Sequence, residues 1–436
     1  MPARPENRDD RIGGHLADMP KQLKTVLLVA TCDTKADEVR YLREELVRSG
    51  GAGLIMDVGV LGEPGFAPDI PNTAVAAAAG ATLEQLAALG DENQAMTRMA
   101  VGAVALAKDL HERGAVHAVI VLGGTMGTDL ALDLTAALPL GVPKLVVSTV
   151  SFSHLIPPER IAPDLMMILW AGGLYGLNSI CRTMLSQAAG AVLGACSVTV
   201  PARNRRPIVG MTSLGKSCLS YMTTLKPALE ARGYEVAVFH TTGMGGSAFE
   251  ALVAQGRFVA VLDLSLQEVS NHVNGSIVTS GAGRLEAAGR AGVPQIVAPG
   301  AVDMIDLPTW QPLPQRYTER AYHAHNRLIA SVATTPPERC ATARYIADKL
   351  AHATGPTALV LPLKGVQEWD RPDRALHAPQ AHSAFIDELR GHVQAPVQLV
   401  ELDVHINDEA FSAGVLAIFD DWVARGLIGA GQAGVS

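Results

Sequence analysis

The chain alternates between short aliphatic runs and amphipathic stretches of helical period, and this alternation starts twice. Thr25–Thr31 reads as an aliphatic strand and 33–49 as a helix. A second strand is expected at 53–60, one or two helical segments at 82–114, a third strand at 118–122, a helix at 128–138 and a fourth strand at 144–150. A long helix of small residues is expected at 170–193. Val198–Arg205, with its proline and its charges, interrupts the pattern and marks a domain boundary. The alternation then resumes, with strands at 208–212, 235–240, 259–264, 295–298, 358–363 and 398–403. Helices are expected between most of them, at 219–231, 246–254, 284–291, 341–352, 383–391 and 408–425. Strands separated by helices imply mainly parallel sheets with right-handed crossovers. The expected fold is α/β, with two Rossmann-like, doubly wound domains at 22–200 and 206–430 after a flexible tail at 1–21.

Composition agrees with that architecture. Of 436 residues 48% are hydrophobic but only 4% aromatic, so alanine, valine, leucine and glycine must fill the cores. A net charge of -8 without any basic block argues against nucleic acid as a partner. The five cysteines, Cys32, Cys181, Cys196, Cys218 and Cys340, are odd in number and widely spaced, which argues against a disulfide framework or a cysteine zinc site. The first 21 residues lack a signal peptide's apolar core, and the longest apolar stretch, 165–177, is too short and too rich in glycine to span a bilayer. A cytoplasmic protein without membrane contact is expected.

In doubly wound folds ligands sit beyond the carboxyl ends of the strands. Thr31-Cys32-Asp33-Thr34-Lys35 follows the first strand. Asp33 or Thr34 can cap the next helix. Lys35 opposes the helix dipole unless an anion lies nearby. Gly123-Gly124-Thr125-Met126-Gly127-Thr128 follows the third strand, where glycines allow close backbone approach and a helix start offers N–H groups to phosphate. It is neither a Walker A loop nor a G-x-G-x-x-G fingerprint. Ser148 and Thr149 can complete a rim, and Asp57, ending the second strand, is placed either to bind a ribose or to anchor a turn.

The second half carries mixed polar strand ends. Thr242, Gly243, Gly245 and Gly246 lie in a glycine-rich loop after His240; Gly283-Arg284 forms another, its guanidinium suited to a carboxylate or phosphate. With Asp263 and Lys364 these are candidate substrate-binding residues. His240, His405 and Asp408 are the catalytic candidates, imidazole being the group that titrates near neutrality. No ligand spacing diagnostic of a metal occurs, and a polar cleft is favoured over a metal site. His323 and His325 alternate as one face of an extended segment and read as structural.

These runs, together with Asp57-Val58-Gly59, Gly141-Val142-Pro143-Lys144, Gly176-Leu177-Asn178, Tyr322-His323-Ala324-His325-Asn326 and Asp403-Val404-His405-Ile406-Asn407-Asp408, resemble the Tm-one-like ATP-binding family from about Lys24 to Ala424. The resemblance implies two Rossmann-like domains, homodimers, and ATP with magnesium in the first domain, with Asp33 near the metal and Lys35 on the phosphates. The chain departs from the family at Met126, where the family's loop often has glycine, and at 151–161, which lacks a glycine-rich continuation. The leading expectation is an ATP-binding enzyme acting on a small acidic metabolite at the interdomain cleft. The alternatives are a non-catalytic, ATP-gated binding protein and a metal-assisted hydrolase or lyase acting from the second domain.

Overall fold

The computed structural model describes residues 23–199 and 206–432. The expected tail at 1–21 and most of the expected boundary segment lie outside the described residues. Two compact units emerge. The first comprises the described residues up to 134 with 142–151 and 166–198; the second takes 135–141, 152–165 and the described residues from 199 onward.

The first unit is built on β1 (Thr25–Ala30), α1 (Ala36–Arg48), β2 (Ala52–Asp57), α2 (Asn72–Ala78), α3 (Leu83–Ala87), α4 (Glu92–Glu112), β3 (Ala118–Gly123), α5 (Thr125–Ala137), β4 (Lys144–Ser148), β5 (Leu165–Leu169) and α6 (Ser179–Cys196). The sheet order is β2-β1-β3-β4-β5, with parallel pairing of β1 to β2 and β3 and of β3 to β4. Val26, Leu28, Ile120, Leu122 and Val147 pack against Leu42 and Leu46 of α1 and Leu185, Ala188 and Val192 of α6. Each such fully buried aliphatic side chain contributes roughly 1.5–3 kcal/mol. The scarcity of aromatics is met by close approach of helices: a Cβ on Gly102 of α4 would overlap the Val75 carbonyl of α2.

The second unit continues with β6 (Ile208–Ser213), α7 (Ser220–Ala231), β7 (Glu235–His240), α8 (Met244–Ala254), β8 (Ala260–Ser265), α9 (Gln267–Val273), α10 (Ala287–Ala291), β9 (Gln295–Gly300), β10 (Met304–Pro308), β11 (Tyr322–Ala324), β12 (Ile329–Ala333), α11 (Pro336–Leu350), β13 (Thr357–Pro362), α12 (Pro379–His392), β14 (Gln398–Leu402) and α13 (Glu409–Ala424). Six parallel strands run in the order β14-β13-β9-β8-β6-β7. The α/β class with two Rossmann-like domains is therefore what the chain adopts. Among the described residues no helix is long and apolar enough to cross a membrane.

The structure departs from the sequence reading in several places, among them the helices α2 and α9, which were not assigned from the sequence. Leu165–Leu169 is an edge strand, and the long helix starts at Ser179 rather than near 170. Gly173 and Gly176 at φ 83° and 89° break the chain between them. Asn178 then caps α6 by accepting from the N–H groups of Ile180 and Cys181. In the second unit β10, β12 and β11 form a separate antiparallel sheet, where no strand was assigned from the sequence. Its strands are short and lack the β–helix–β alternation that marks the others.

Candidate functional site

The strand order of the first unit reverses at β1 and β3: the chain leaves β1 toward β2 on one side and returns to β3 on the other. This is the flavodoxin-like order 2-1-3-4-5, whose ligand crevice opens between these two strands. A cavity of about 480 Å³ lies there. Thr31, Asp33, Thr34 and Lys35 line it from the loop after β1, and Gly124, Thr125, Met126 and Gly127 from the start of α5. Gly59, Val60 and Leu61 follow β2, while Leu86, Ala95 and Met96 give an apolar wall from α3 and α4.

Each polar group is positioned by a local cause. Lys35 is the N-cap residue of α1 but makes no side-chain cap. Its Nζ instead donates to Thr31 Oγ1 and Thr34 Oγ1, both at 3.1 Å. Burial pulls its pKa below the ordinary lysine value, while Asp33 and Glu38 act in the opposite sense. Desolvation of this kind leaves an ammonium in need of an anion. Asp33 Oδ1 is buried without a hydrogen-bond partner among the described residues. At α5 the Gly124 carbonyl accepts from Thr128 N at 2.9 Å, so the N–H groups of Thr125, Met126 and Gly127 precede the first intrahelical donor. Gly123 is required by packing: a Cβ there would lie 2.7 Å from Thr128 N. Gly124 is open, its nearest neighbour being Thr149 Oγ1 at 3.8 Å.

Of the expected ATP-site residues, Thr31, Asp33, Thr34, Lys35, Gly124, Thr125 and Gly127 line the cavity together. Asp57, Gly123, Thr128, Ser148 and Thr149 do not line it. Asp57 is fully buried; its Oδ1 accepts from Cys32 N and Gly59 N, both at 2.9 Å, tying the loops after β1 and β2 together. The ribose reading is thereby corrected in favour of the anchor. Burial pushes the Asp57 carboxyl up, against the pull of the Cys32 and Gly59 amides. Thr128 and Ser148 share a hydrogen bond of 2.6 Å and are buried, so they brace the loop from behind.

In the second unit the glycine-rich loop after β7 is already occupied. Glu268 of α9 accepts from Gly243 N at 2.6 Å and from Gly246 N at 3.1 Å. A Cβ on Gly246 would overlap Glu268 Oε2, and one on Gly245 would overlap the His240 carbonyl. The chain's own carboxylate thus takes the place of an external anion at the helix start. Arg284 is likewise consumed: it holds Asp263 through both terminal nitrogens, Glu268 through Nε at 3.2 Å and Glu250 through Nη1 at 3.1 Å. The expectation that Gly243, Gly246, Asp263 and Arg284 receive a substrate is corrected by this internal network. Thr242 and Gly283 line neither this cavity nor the next.

His405, Asp408 and Lys364 come together at a second cavity, also of about 480 Å³, beyond the carboxyl ends of β13 and β14. His240 is not among its lining residues. Both nitrogens of His405 are engaged. Nδ1 accepts from Asn407 N at 3.1 Å; Nε2 lies 2.9 Å from Asp370 Oδ1 and 3.0 Å from the Gln367 carbonyl. The ring is thereby fixed in the cavity wall. Asp408 accepts from Arg371 and from His405 N. Among the described residues no group of three or more metal-ligating side chains converges.

One constellation escaped the sequence reading. His325, expected to be structural, has Nε2 at 2.8 Å from Ser331 Oγ, and Ser331 donates to the buried Asp306. The His323 ring stacks 4.0 Å from Trp369 beside it. The i, i+2 spacing of the two histidines was visible in the chain, but the serine and the aspartate come from neighbouring strands of a sheet that was not assigned from the sequence.

Residues 24–201 match the N-terminal domain, and residues 206–423 the C-terminal domain, of the family described as "Uncharacterised protein family (UPF0261)". A UPF0261 protein of Brucella melitensis is 55% identical over 403 residues, covering 92% of this chain and 96% of that one. One from Clostridium tetani is 34% identical over 391 residues, 89% of this chain and 96% of that one. The tomato (Solanum lycopersicum) protein named ToMV resistance protein Tm-1(GCR237) is 32% identical over 309 residues, which is 69% of this chain and 41% of that protein. Among solved structures a UDP-N-acetylglucosamine 2-epimerase covers 64% of this chain and 79% of its own at 11% identity and a TM-score of 0.20, too low for any functional argument. Matched along both of its domains, the chain belongs to the UPF0261 family, and the tomato Tm-1 protein is a distant homologue of it.

Proposed function

We propose that the first domain binds ATP, with its phosphates against the start of α5 and its base on the apolar wall of Leu86, Ala95 and Met96. The observation that carries this reading is the convergence, in one cavity at the β1/β3 reversal, of helix-start N–H groups, a desolvated ammonium and a buried carboxylate oxygen without a partner. The cavity of about 480 Å³ falls within the roughly 300–1,000 Å³ range of small-molecule sites. Thr125, Met126 and Gly127 amides and Lys35 Nζ would hold phosphate oxygens. Asp33 fits a magnesium ion, since that ion typically takes one or two carboxylates and completes its shell with water and phosphate. Bound ATP supplies a transferable phosphoryl group. The lining contains neither histidine nor cysteine, so the cavity by itself supports nucleotide binding rather than a named reaction.

Isothermal titration of the full chain with ATP, ADP and AMP in the presence of magnesium tests the reading. Affinity should fall with each phosphate removed. Lys35→Ala should weaken ATP about 10–100-fold, the worth of a charge-assisted contact of roughly 1.5–3 kcal/mol, while leaving AMP little changed. Flat titrations with all three nucleotides would overturn it.

A further inference from the structure

The second cavity has no counterpart in the nucleotide reading, and its charge pattern is of another kind. We propose that it is a binding site for a small organic anion, a carboxylate or a phosphate ester, held through Arg339. The cavity lies beyond the carboxyl ends of the neighbouring parallel strands β13 and β14, the edge at which doubly wound sheets receive ligands. Four cationic side chains line it, Arg339, Lys364, Arg371 and Arg390, against two carboxylates, Asp370 and Asp408.

Both carboxylates are committed to the wall. Asp370 accepts from Val366 N at 2.6 Å and faces His405 Nε2 at 2.9 Å. Asp408 accepts from His405 N at 2.9 Å and from Arg371 at 3.1 Å. Two of the cations, Lys364 and Arg339, are held less completely. Lys364 pairs with Asp403, but both side chains are more than half exposed, and such pairs are weak and easily exchanged. Arg371 is shared between Glu368 and the lining Asp408, and Arg390 is held by Glu401 and Asp387, which do not line the cavity.

Arg339 is the decisive group. Its side chain is 2% exposed. Nε donates to Thr334 Oγ1 at 2.9 Å, whereas Nη2 lies 3.9 Å from Asp303 Oδ2 and has no hydrogen-bond partner among the described residues. A buried guanidinium nitrogen left in that state is costly, and a planar fork of donors matches a carboxylate or phosphate. Burial also pushes the His382 imidazole below its ordinary range, so this lining ring adds polarity without adding charge at neutral pH.

The test is a thermal-shift and calorimetric titration of the full chain with sodium phosphate and with sodium citrate, against sodium chloride at matched ionic strength. It is repeated in a Lys35→Ala background, which separates this site from the first domain. Saturable stabilisation by either anion is expected, unchanged by Lys35→Ala and weakened at least tenfold by Arg339→Gln and by Arg371→Gln. Arg371 is one-third exposed, so its variant carries the test if Arg339→Gln does not fold. The proposal is overturned if neither anion exceeds chloride, or if binding persists undiminished in a folded arginine variant.

Discussion

Glu268 and Arg284 meet at 3.2 Å, Oε2 to Nε, with both side chains sealed from solvent at 0% and 1% exposure. Arg284 also pairs with the buried Asp263 and with the partly exposed Glu250, so one guanidinium serves three carboxylates. Burial pushes the Glu268 and Glu250 carboxyls up, and Arg284 pulls them back. Arg284→Met should therefore destabilise the protein by about 3–5 kcal/mol, the cost of leaving buried charge uncompensated. Urea unfolding of the variant measures it; a loss below about 1 kcal/mol would show that the network is not under tension from the missing cation.

The two glycine-rich loops should respond in opposite ways to one added methyl group. At Gly246 a Cβ would collide with the Glu268 carboxylate that holds the helix start. At Gly124 the nearest atom lies 3.8 Å away. Gly246→Ala is expected to lower the melting temperature by many degrees. Gly124→Ala should leave stability within about 1 kcal/mol, as most non-clashing surface changes do, while weakening ATP by narrowing the approach to the α5 amides. Equal melting temperatures for the two variants would contradict the assignment of one loop as filled and the other as open.

That contrast marks what was legible in the chain. Both loops have the same local signature, glycines between an aliphatic strand and a helix, and both were read as ligand loops. The residue that separates them, Glu268, lies 25 positions beyond Gly243, and its arrival there depends on β8 and α9 being packed beside α8. The alternation of strands and helices was legible because it repeats a local period. Thr31, Asp33, Lys35 and the start of α5 were legible because a fold rule says where ligands bind. Arg339 carries no local mark at all: it sits in the first turn of a helix whose capping box involves Thr335 and Glu338, and only the tertiary structure turns it toward the second cavity.

Ser331 lies between a buried carboxylate and an imidazole, donating to Asp306 and so accepting from His325 Nε2. This fixes the proton of the neutral ring on Nε2 and leaves the Nδ1 lone pair available. Burial lowers the His325 pKa below its ordinary value, so the ring is neutral at pH 7. Nitrogen-15 NMR should show the Nε2–H tautomer in the parent protein. In Ser331→Ala the tautomer preference should relax toward a mixture, and the unpaired Asp306 oxygen should cost about 1–3 kcal/mol. A parent spectrum dominated by the Nδ1–H form would reject this hydrogen-bond direction.

Asp303 gives the fold a pH signature. Burial pushes its carboxyl up to about 6 from the ordinary 3.8, with Arg339 opposing the rise. Between those two values the folded chain holds a proton that the unfolded chain has released. The folded state then binds more protons, and stability must fall as pH rises through this window. The full difference is on the order of 3 kcal/mol, reached above pH 6 and absent below the unfolded value. Asparagine at this position cannot titrate, yet it can still accept from Gln367, which donates to Asp303 Oδ2 at 3.0 Å. Unfolding free energies of the parent and of Asp303→Asn, measured from pH 4 to pH 7, should therefore diverge, with the parent losing stability relative to the variant as pH rises. Parallel curves would mean that the Asp303 carboxyl ionises in the folded protein as it does in water.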